Sequence, residues 1–385
     1  MGILRMRLFF ILFILTISIS SLTDEATQTI LSLQINEQDG ILPLVFILYM
    51  IGGIVATPLS RYLLHPKTPI KNLIYIFSTQ GSIIYITYFL SSTYFIFIIS
   101  FFLGTTGNLL WIKILSIIPL FQNKNSANKV AHTCRNIGFI TGPLLGSFLF
   151  TLYNQYSFFI LSIITFIPIM FLFGKNNFLF YTTKKNVSKN SNDIKYDKYN
   201  LFKNTKVKKV LIPTALTILS TSNFNILIIP YITKINNFPN YYYGTLLSII
   251  SFGLIISPIL LSDLFKKIGT AAGASAGTLL IGLGVFSIGY TNNFLIMLIF
   301  SLILGLGNGI QNTLLSLFLY ETFPNNSEKS VIPSYVAYIQ ITVLFGFILS
   351  FLIKDDYIKD YFLYSGFFVI TTSLVSIFIN KRRGI

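Results

Sequence analysis

Four charged side chains lie within long hydrophobic stretches of this sequence: Asp24, Glu25, Lys113 and Arg135. A charge in the middle of a bilayer costs about 2.5 kcal/mol or more unless it is paired or faces a water-filled cavity. A carboxylate in such a cavity can bind and release a proton, or it can pair with a cationic substrate. Asp24 and Glu25 are therefore candidate coupling groups, and of the two we favour Asp24. If the first hydrophobic helix instead ends near Leu22, both carboxylates are solvated.

Lys113 and Arg135 are the cations of the same set. A cation that faces a cavity can recruit an anionic substrate or pair with Asp24 or Glu25. Alternatively, a long basic side chain extends to the cytoplasmic headgroups and serves only to anchor its helix. The sequence leaves both interpretations open for each residue.

The second half of the chain carries almost no charge within its hydrophobic stretches. Its polar positions there are amides, which can line a cavity by hydrogen bonding. They are Asn223, Asn225, Gln311, Asn312 and Gln340. Because Asn is abundant throughout the chain, each position alone is weak support for a cavity.

Small residues recur every four positions within the segment 135–147. Gly138, Gly142 and Gly146 share one face of a helix, and such a smooth stripe lets a neighbouring helix pack backbone to backbone. Pro143 removes one backbone hydrogen bond and permits a bend. We therefore predict a close-packed helix that can bend. Ordinary small-residue packing, without a role in coupling, is the alternative.

Residues typical of enzyme chemistry are few and scattered. His65 and His132 are far apart in sequence and have no neighbouring carboxylates, and no metal-ligand spacing, nucleophile motif or phosphate-binding glycine loop is found. The single cysteine, Cys134, excludes an internal disulfide and a cysteine-based metal site. We expect no enzyme activity, no cofactor and no metal.

The elements that position these residues follow from composition. With 53% hydrophobic and 10% charged residues and a mean hydropathy of +0.72, the 385-residue chain is too apolar for a soluble globule. We predict an all-α polytopic membrane protein with twelve transmembrane helices of about 20 residues each. They lie near 8–33, 41–60, 73–90, 94–121, 130–153, 158–172, 210–232, 243–265, 271–290, 294–320, 331–353 and 361–379.

A polar, lysine-rich segment at 175–209 divides these helices into two groups of six. We predict domains at 1–174 and 210–385 joined by a solvated linker, with no binding role required of the linker itself. Only Lys234, Lys354 and Lys359 fall on the side opposite to the linker, so both termini and the linker are expected in the cytoplasm. The apolar start of the chain resembles a signal peptide, but a first transmembrane helix preserves the count of six plus six.

The net charge of +16 is explained by this orientation, because the basic residues lie mainly in loops and at the chain ends. No basic helix face interleaved with aromatic residues is present, so we expect no nucleic-acid partner. The expected surroundings are a lipid bilayer, in the inner (plasma) membrane of a bacterium.

Features of the first half recur about 200 residues later, as expected for two related halves. Chance matching between glycine-bearing apolar helices is the alternative. The matched positions are Gly53 and Pro58 with Gly253 and Pro258, Leu103, Gly104 and Asn108 with Leu304, Gly305 and Asn308, and Gly146 with Gly346.

Six helices, a basic cytoplasmic loop and six related helices resemble the major facilitator superfamily, over essentially the whole chain. The segment RNIGFITGPLLGS at 135–147 is similar to the Gly-x3-Gly-Pro-x2-Gly-Gly antiporter motif of its exporters, with Ser147 in place of the last glycine. The Arg-Asn-x-Gly at its start is seen in some drug and siderophore efflux branches. The position of Asp24 resembles that of the first-helix aspartate of several efflux families.

The resemblance also implies a cytoplasmic gate after the second helix of each half. The first copy lacks the family's aspartate and keeps Arg61, whereas the second keeps Asp263, Lys266 and Lys267. A carboxylate and basic residues can latch one state by charge pairing across the cytoplasmic face. Positive-inside anchoring alone is the alternative for the lysines.

We expect a monomeric secondary transporter that exports a small amphipathic molecule, such as a drug or siderophore-like metabolite, by proton-coupled alternating access. A metabolite importer, either a symporter or a facilitator, is the first alternative. A transport-inactive interaction or scaffold protein derived from a transporter is the second.

Overall fold

The structure, a computed structural model, describes residues 2–38, 41–63, 69–90, 92–117, 124–173, 204–323 and 332–382. Within these ranges the regular elements are all helical. Most of the predicted linker and His65 lie outside them. The helices are α1 Gly2–Glu37, α2 Leu42–Leu63, α3 Pro69–Phe89, α4 Thr93–Ile117, α5 Lys124–Tyr153, α6 Tyr156–Phe173, α7 Thr205–Thr221, α8 Phe224–Pro230, α9 Asn240–Leu260, α10 Ser262–Lys266, α11 Thr270–Tyr290, α12 Phe294–Thr322, α13 Ile332–Leu349 and α14 Ile358–Arg382.

Every predicted transmembrane segment overlaps one of these helices. Within the described residues, eight helical stretches are long and apolar enough to cross a membrane, judged by length and composition. Many large apolar side chains are exposed on them, including Ile259, Leu295 and Phe367. In an aqueous protein such a surface is unusual, whereas lipid covers it at no cost. The number of twelve transmembrane helices stays a prediction.

The predicted seventh segment is broken in the structure. α7 ends at Thr221, and α8 continues into a π-helical turn at Tyr231–Ile235. The hydroxyl of Tyr361 donates to the carbonyl oxygen of Ser220 at 2.6 Å and accepts from Nδ2 of Asn223 at 2.9 Å. In a continuous helix that carbonyl would accept the amide N–H four residues later, so an inserted hydroxyl is the physical cause of the break.

The chain divides into two compact units. The first unit is Met1–Asn190 with Pro239–Thr245, and the second is Ser191–Phe238 with Leu246–Ile385. In the first unit the principal helix pairs are α1 with α5, α2 with α4 and α3 with α6. In the second, α11 pairs with α12 and α14, and α7 pairs with α13 and α14. The predicted domain limits at 174 and 210 stay a prediction.

The same close helix crossing occurs in both units. A Cβ added to Gly104 of α4 would collide with the carbonyl oxygen of Tyr49 on α2. A Cβ added to Gly305 of α12 would collide in the same way with the carbonyl oxygen of Ile250 on α9. The same offset separates 104 from 305 and 49 from 250, so both crossings require glycine at equivalent positions.

A second contact fixes the register of this repeat. Gly52 approaches the carbonyl oxygen of Phe101, and Gly253 approaches that of Leu302. The structural counterpart of Gly253 is therefore Gly52, whereas the sequence comparison aligned Gly53. Neighbouring glycines allow this slip of one position, because sequence matching does not show which of the two meets the partner helix.

Candidate functional site

α1 continues as a helix through both predicted carboxylates to Glu37. The alternative in which the helix ends near Leu22 therefore does not describe this structure. Adjacent residues of an α-helix point about 100° apart, so Asp24 and Glu25 meet different neighbours. Asp24 lies against α2 and α4, and Glu25 lies against α5.

Asp24 is held by a tyrosine that sequence analysis did not single out. The hydroxyl of Tyr49 on α2 donates to Oδ2 of Asp24 at 2.7 Å. Oδ1 is buried and has no hydrogen-bond partner within the described structure. A buried carboxylate oxygen without a partner is costly, and a proton or a cation at Oδ1 would relieve that cost.

A glycine on α4 provides the space for this carboxylate. A Cβ added to Gly107 would lie 2.7 Å from Oδ2 and 2.8 Å from Oδ1 of Asp24. Any larger residue would have to displace the carboxylate or its helix. We define the Asp24 site as Asp24, Glu25, Tyr49, Gly107 and Arg135.

Arg135 on α5 is the cation of this site. Its guanidinium lies over the ring of Trp111, 4.3 Å from the centroid, and 5.1 Å from that of Phe139. It attracts both carboxylates electrostatically. Arginine interacts with planar groups through stacking as well as through charge. The two rings therefore hold the guanidinium in place, and its positive charge still acts on the two carboxylates.

Lys113 is placed differently from Arg135. It lies on α4 with only 3% of its side chain exposed, and it interacts with the surrounding chain. Asp24 and Arg135 act electrostatically on Glu25, and Arg135 acts on Asp24. The structure thus brings three of the four predicted coupling residues together.

The predicted glycine stripe packs on the helix that carries the carboxylates. Gly138 approaches Ser21, Gly142 approaches Glu25 and Gly146 approaches Ala26. A Cβ at Gly142 would lie 2.5 Å from Cβ of Glu25, and one at Gly146 would lie 2.5 Å from the carbonyl oxygen of Ala26. Ser21 Oγ also donates to the carbonyl oxygen of Arg135 at 2.8 Å. α1 and α5 are therefore in backbone contact beside the site.

Pro143 and Ser147, the other notable residues of this motif, contact the segment Pro239–Thr245 of the first unit. A Cβ at Gly244 would collide with Ser147 Oγ and with the carbonyl oxygen of Pro143. In the same segment Tyr243 is buried near Glu25. The serine in place of the motif's last glycine is fully buried and makes this contact.

The predicted gate residues lie on α2 and around the short helix α10. Asp263 lies in the first turn of α10 and Lys266 ends it, and together with Lys267 they are exposed. No ion pair connects them within the described part of the second unit. Arg61 lies on α2, and its side chain is outside the described set. The gate stays a prediction.

A polar cavity of about 200 Å³ lies within the second unit. Of the five amides singled out from the sequence, Asn225, Gln311 and Asn312 line it. Asn223 instead bonds to Tyr361, and Gln340 is exposed outside the lining. Its lining residues are Thr217, Ile218, Thr221, Ser222, Phe224, Asn225, Thr278, Ile281, Val285, Leu304, Asn308, Gln311, Asn312, Ile339 and Val343. We call it the neutral cavity.

The fold resembles that of solved transporters. A mutant peptide transporter (POT) in complex with sulfate is 12% identical, with 97% of this chain and 94% of that chain covered and a TM-score of 0.72. A bacterial homologue of the iron transporter ferroportin in an inward-facing state is 15% identical, with 98% of both chains covered and a TM-score of 0.72. The nucleoside transporter NupG is 13% identical, with 97% and 98% covered and a TM-score of 0.66. At these identities the likeness shows the fold alone.

No curated protein sequence matches the chain. The sequence pattern of the Major Facilitator Superfamily matches residues 8–347, which include every residue of the Asp24 site and of the neutral cavity. Together with the apolar helices, this match identifies an integral, multi-pass membrane protein with a transporter fold. The chain belongs to the Major Facilitator Superfamily.

Proposed function

We propose that this protein is a secondary transporter that exports a small amphipathic molecule by alternating access in exchange for protons. The observation that carries the proposal is the buried Oδ1 of Asp24, which has no hydrogen-bond partner among the described residues, while Oδ2 is held by Tyr49. A single oxygen held in a fixed position and lacking a partner can accept one proton or pair with one cation. This is the requirement for a coupling carboxylate.

Exchange follows if proton and substrate compete for the same oxygen. A proton that binds at Oδ1 neutralises the carboxylate and removes its attraction for a cationic substrate. Loss of that proton to the cytoplasm restores the charge, and the substrate can then bind. Because each occupant excludes the other, inward proton flow drives outward substrate flow.

The contact between α1 and α5 supports export in particular. The segment of α5 that resembles the antiporter motif of exporters packs on the turn of α1 that contains Glu25. A change of charge at Asp24 or Glu25 therefore acts on a helix pair without side chains between the backbones. Such a contact can transmit the change as a movement of helices instead of a local rearrangement.

The proposal extends to the topology and the gate. Twelve transmembrane helices form two bundles, 1–174 and 210–385, joined by the basic linker 175–209, with both termini in the cytoplasm of a bacterial cell. Arg61, Asp263, Lys266 and Lys267 act at the cytoplasmic gate, and Lys113 contributes a buried positive charge. The working form is a monomer.

The test is proton-driven flux in oriented vesicles that contain the purified protein. The substrates are tetraphenylphosphonium, ethidium and a hydroxamate siderophore. We expect Asp24→Asn to abolish flux driven by a pH gradient and to weaken substrate-for-substrate exchange of the cationic probes, because the amide can neither bind and release a proton nor attract a cation. Glu37→Gln, at the exposed end of the same helix, is the matched control and should transport as the wild type does.

Three results would contradict parts of the proposal. Gradient-driven flux that survives Asp24→Asn rules out Asp24 as the coupling carboxylate. Flux of the wild type that ignores the gradient indicates a facilitator. Absence of flux and of exchange for every substrate in a correctly folded wild type favours the scaffold interpretation over export of these compounds.

A further inference from the structure

The neutral cavity has walls that differ from the Asp24 site in one decisive respect: none of the lining residues that the structure describes is charged. Its polar groups are the hydroxyls of threonine and serine and the amides of asparagine and glutamine. A charged ligand would lose its hydration there without gaining a counter-charge, which is strongly unfavourable. The cavity is therefore suited to an uncharged group.

Two glycines hold the walls close together where α11 crosses α12. A Cβ added to Gly277 would lie 2.7 Å from the amide nitrogen of Gln311 and 2.8 Å from the carbonyl oxygen of Gly307. A Cβ added to Gly307 would lie 2.6 Å from the carbonyl oxygen of Gly277. Backbone contact of this kind fixes α11 against α12 at the wall of the cavity that holds Thr278 and Gln311.

The threonines of the cavity present acceptors. Thr217 donates its hydroxyl hydrogen to the carbonyl oxygen of Thr214 at 2.8 Å, and Thr221 donates to that of Thr217 at 2.9 Å. Thr278 donates to the carbonyl oxygen of Ala274 at 3.0 Å. A hydroxyl has one hydrogen and two lone pairs, so each oxygen remains able to accept from a ligand.

Gln311 supplies the complementary donor. Its side chain is only 4% exposed, and its Nε2 is buried without a hydrogen-bond partner within the described structure. Nε2 has almost no accessible surface, so the amide must turn toward the cavity before a ligand acceptor can reach it. Leaving such a group unpaired costs about 1–3 kcal/mol, which that pairing would recover. The amides of Asn225, Asn308 and Asn312 add further donors and acceptors to the lining.

The volume limits the ligand. A cavity of about 150 Å³ is known to hold benzene, whereas pockets for drug-sized molecules occupy about 300–1,000 Å³. A cavity of about 200 Å³ therefore accepts one ring with a small substituent, or the equivalent part of a larger molecule. That substituent must offer a donor and an acceptor together.

We propose that the neutral cavity is a binding site for an uncharged carboxamide. The carbonyl oxygen of the ligand accepts from Gln311, and its N–H groups donate to the threonine oxygens. If the carboxamide belongs to a transported molecule, the inference adds a substrate class to the proposed function. The binding itself does not depend on proton coupling at Asp24 and can be tested without transport.

The experiment uses three probes of nearly equal size with the full chain in lipid nanodiscs, measured by isothermal titration calorimetry. Nicotinamide has both a donor and an acceptor, 3-acetylpyridine has only the acceptor, and nicotinate is an anion. We expect nicotinamide to bind about fivefold more tightly than 3-acetylpyridine, as one neutral hydrogen bond allows, and at least about tenfold more tightly than nicotinate.

Two variants locate the site. Gln311→Met has similar length and no hydrogen-bonding amide, and we expect it to weaken nicotinamide binding about fivefold. Thr278→Val removes one acceptor with little change of shape and should reduce the preference for nicotinamide over 3-acetylpyridine. Gln80→Met is the matched control, because Gln80 is also buried with an amide that has no partner among the described residues, but it lies in the first unit.

The outcomes separate this inference from the proposed function. Absence of nicotinamide binding by the folded wild type overturns it. Equal affinity for the three probes also overturns it, as does nicotinamide binding that is unchanged in both Gln311→Met and Thr278→Val. Loss of binding in Asp24→Asn but not in Gln311→Met would place the ligand in the first unit. Failure of proton-driven flux alone leaves these measurements unaffected.

Discussion

The substitution Gly146→Ala tests the backbone contact between α1 and α5. The added Cβ would lie 2.5 Å from the carbonyl oxygen of Ala26 and 2.9 Å from its Cα. Both are backbone atoms, so no side-chain rotation can relieve the collision. One of the two helices must move.

The expected loss of stability is the difference between two effects. Overpacking of a close contact typically costs about 1–3 kcal/mol, and a collision with backbone atoms belongs in the upper part of that range, at about 2–3 kcal/mol. Replacing glycine by alanine in a helix returns up to about 1 kcal/mol through better helix propensity. The net destabilisation is therefore about 1–2 kcal/mol, and for a unit of this size each kcal/mol lowers Tm by about 2–4 °C. We expect Gly146→Ala to lower Tm by about 2–8 °C.

The chain provides its own reporter for this measurement. Cys134 is the single cysteine, it lies on α5 in the core of the first unit, and only 5% of it is exposed. A maleimide that becomes fluorescent on reaction with a thiol will therefore report when this unit opens on heating. No second thiol contributes to the signal.

The matched control is Gly53→Ala. Its added Cβ would meet the amide end of the Asn108 side chain, which can rotate away. The cost of displacing the Asn108 side chain and the gain in helix propensity nearly cancel, so Tm should change by less than about 2 °C. If Gly146→Ala is as stable as Gly53→Ala, α1 and α5 do not cross at the distance described, and the case for a rigid link between Glu25 and α5 fails.

Two further predictions concern single contacts. Arg135→Lys should make Trp111, the only tryptophan, more accessible to acrylamide quenching. The reason is that an ammonium cannot cover the indole ring as the guanidinium does, 4.3 Å from the ring centroid. Unchanged quenching would refute the stacking. Lys234→Ala should change Tm by less than about 2 °C, because its ion pair with Asp355 spans 3.8 Å and both side chains are well exposed. A loss of more than about 1 kcal/mol in the free energy of unfolding would refute this assessment.

The helices and the glycine stripe could be predicted because each is a local pattern. Apolar runs of bilayer length and glycines at every fourth position are visible within one segment. The partner of the stripe was not visible, because nothing in the α5 sequence identifies α1 as its neighbour. Packing partners depend on contacts between distant segments, and Gly146 and Ala26 are such a pair.

Two residues of the Asp24 site could not be predicted for the same reason. Tyr49 is one of 22 tyrosines and stands in an ordinary apolar run. Gly107 follows no periodic pattern that would mark it as the place where a carboxylate fits. The break after α7 was also missed, since its cause is the hydroxyl of Tyr361, a residue on α14. The sequence around the end of α7 therefore contains no sign of this distant side chain.

The repeat explains how one fold can hold both a charged site and a neutral cavity. The offset that relates Gly104 to Gly305 also relates Gly107 to Asn308 and Trp111 to Asn312. On α4, Gly107 leaves space for the Asp24 carboxylate, and the ring of Trp111 stacks against the Arg135 guanidinium. On α12, Asn308 and Asn312 line the neutral cavity. Equivalent positions of a repeated helix have thus diverged: one copy contacts charged side chains, and the other lines a cavity of uncharged polar groups. If that division is functional, exchanging Asn312 for tryptophan should block carboxamide binding and leave proton-dependent behaviour at Asp24 intact.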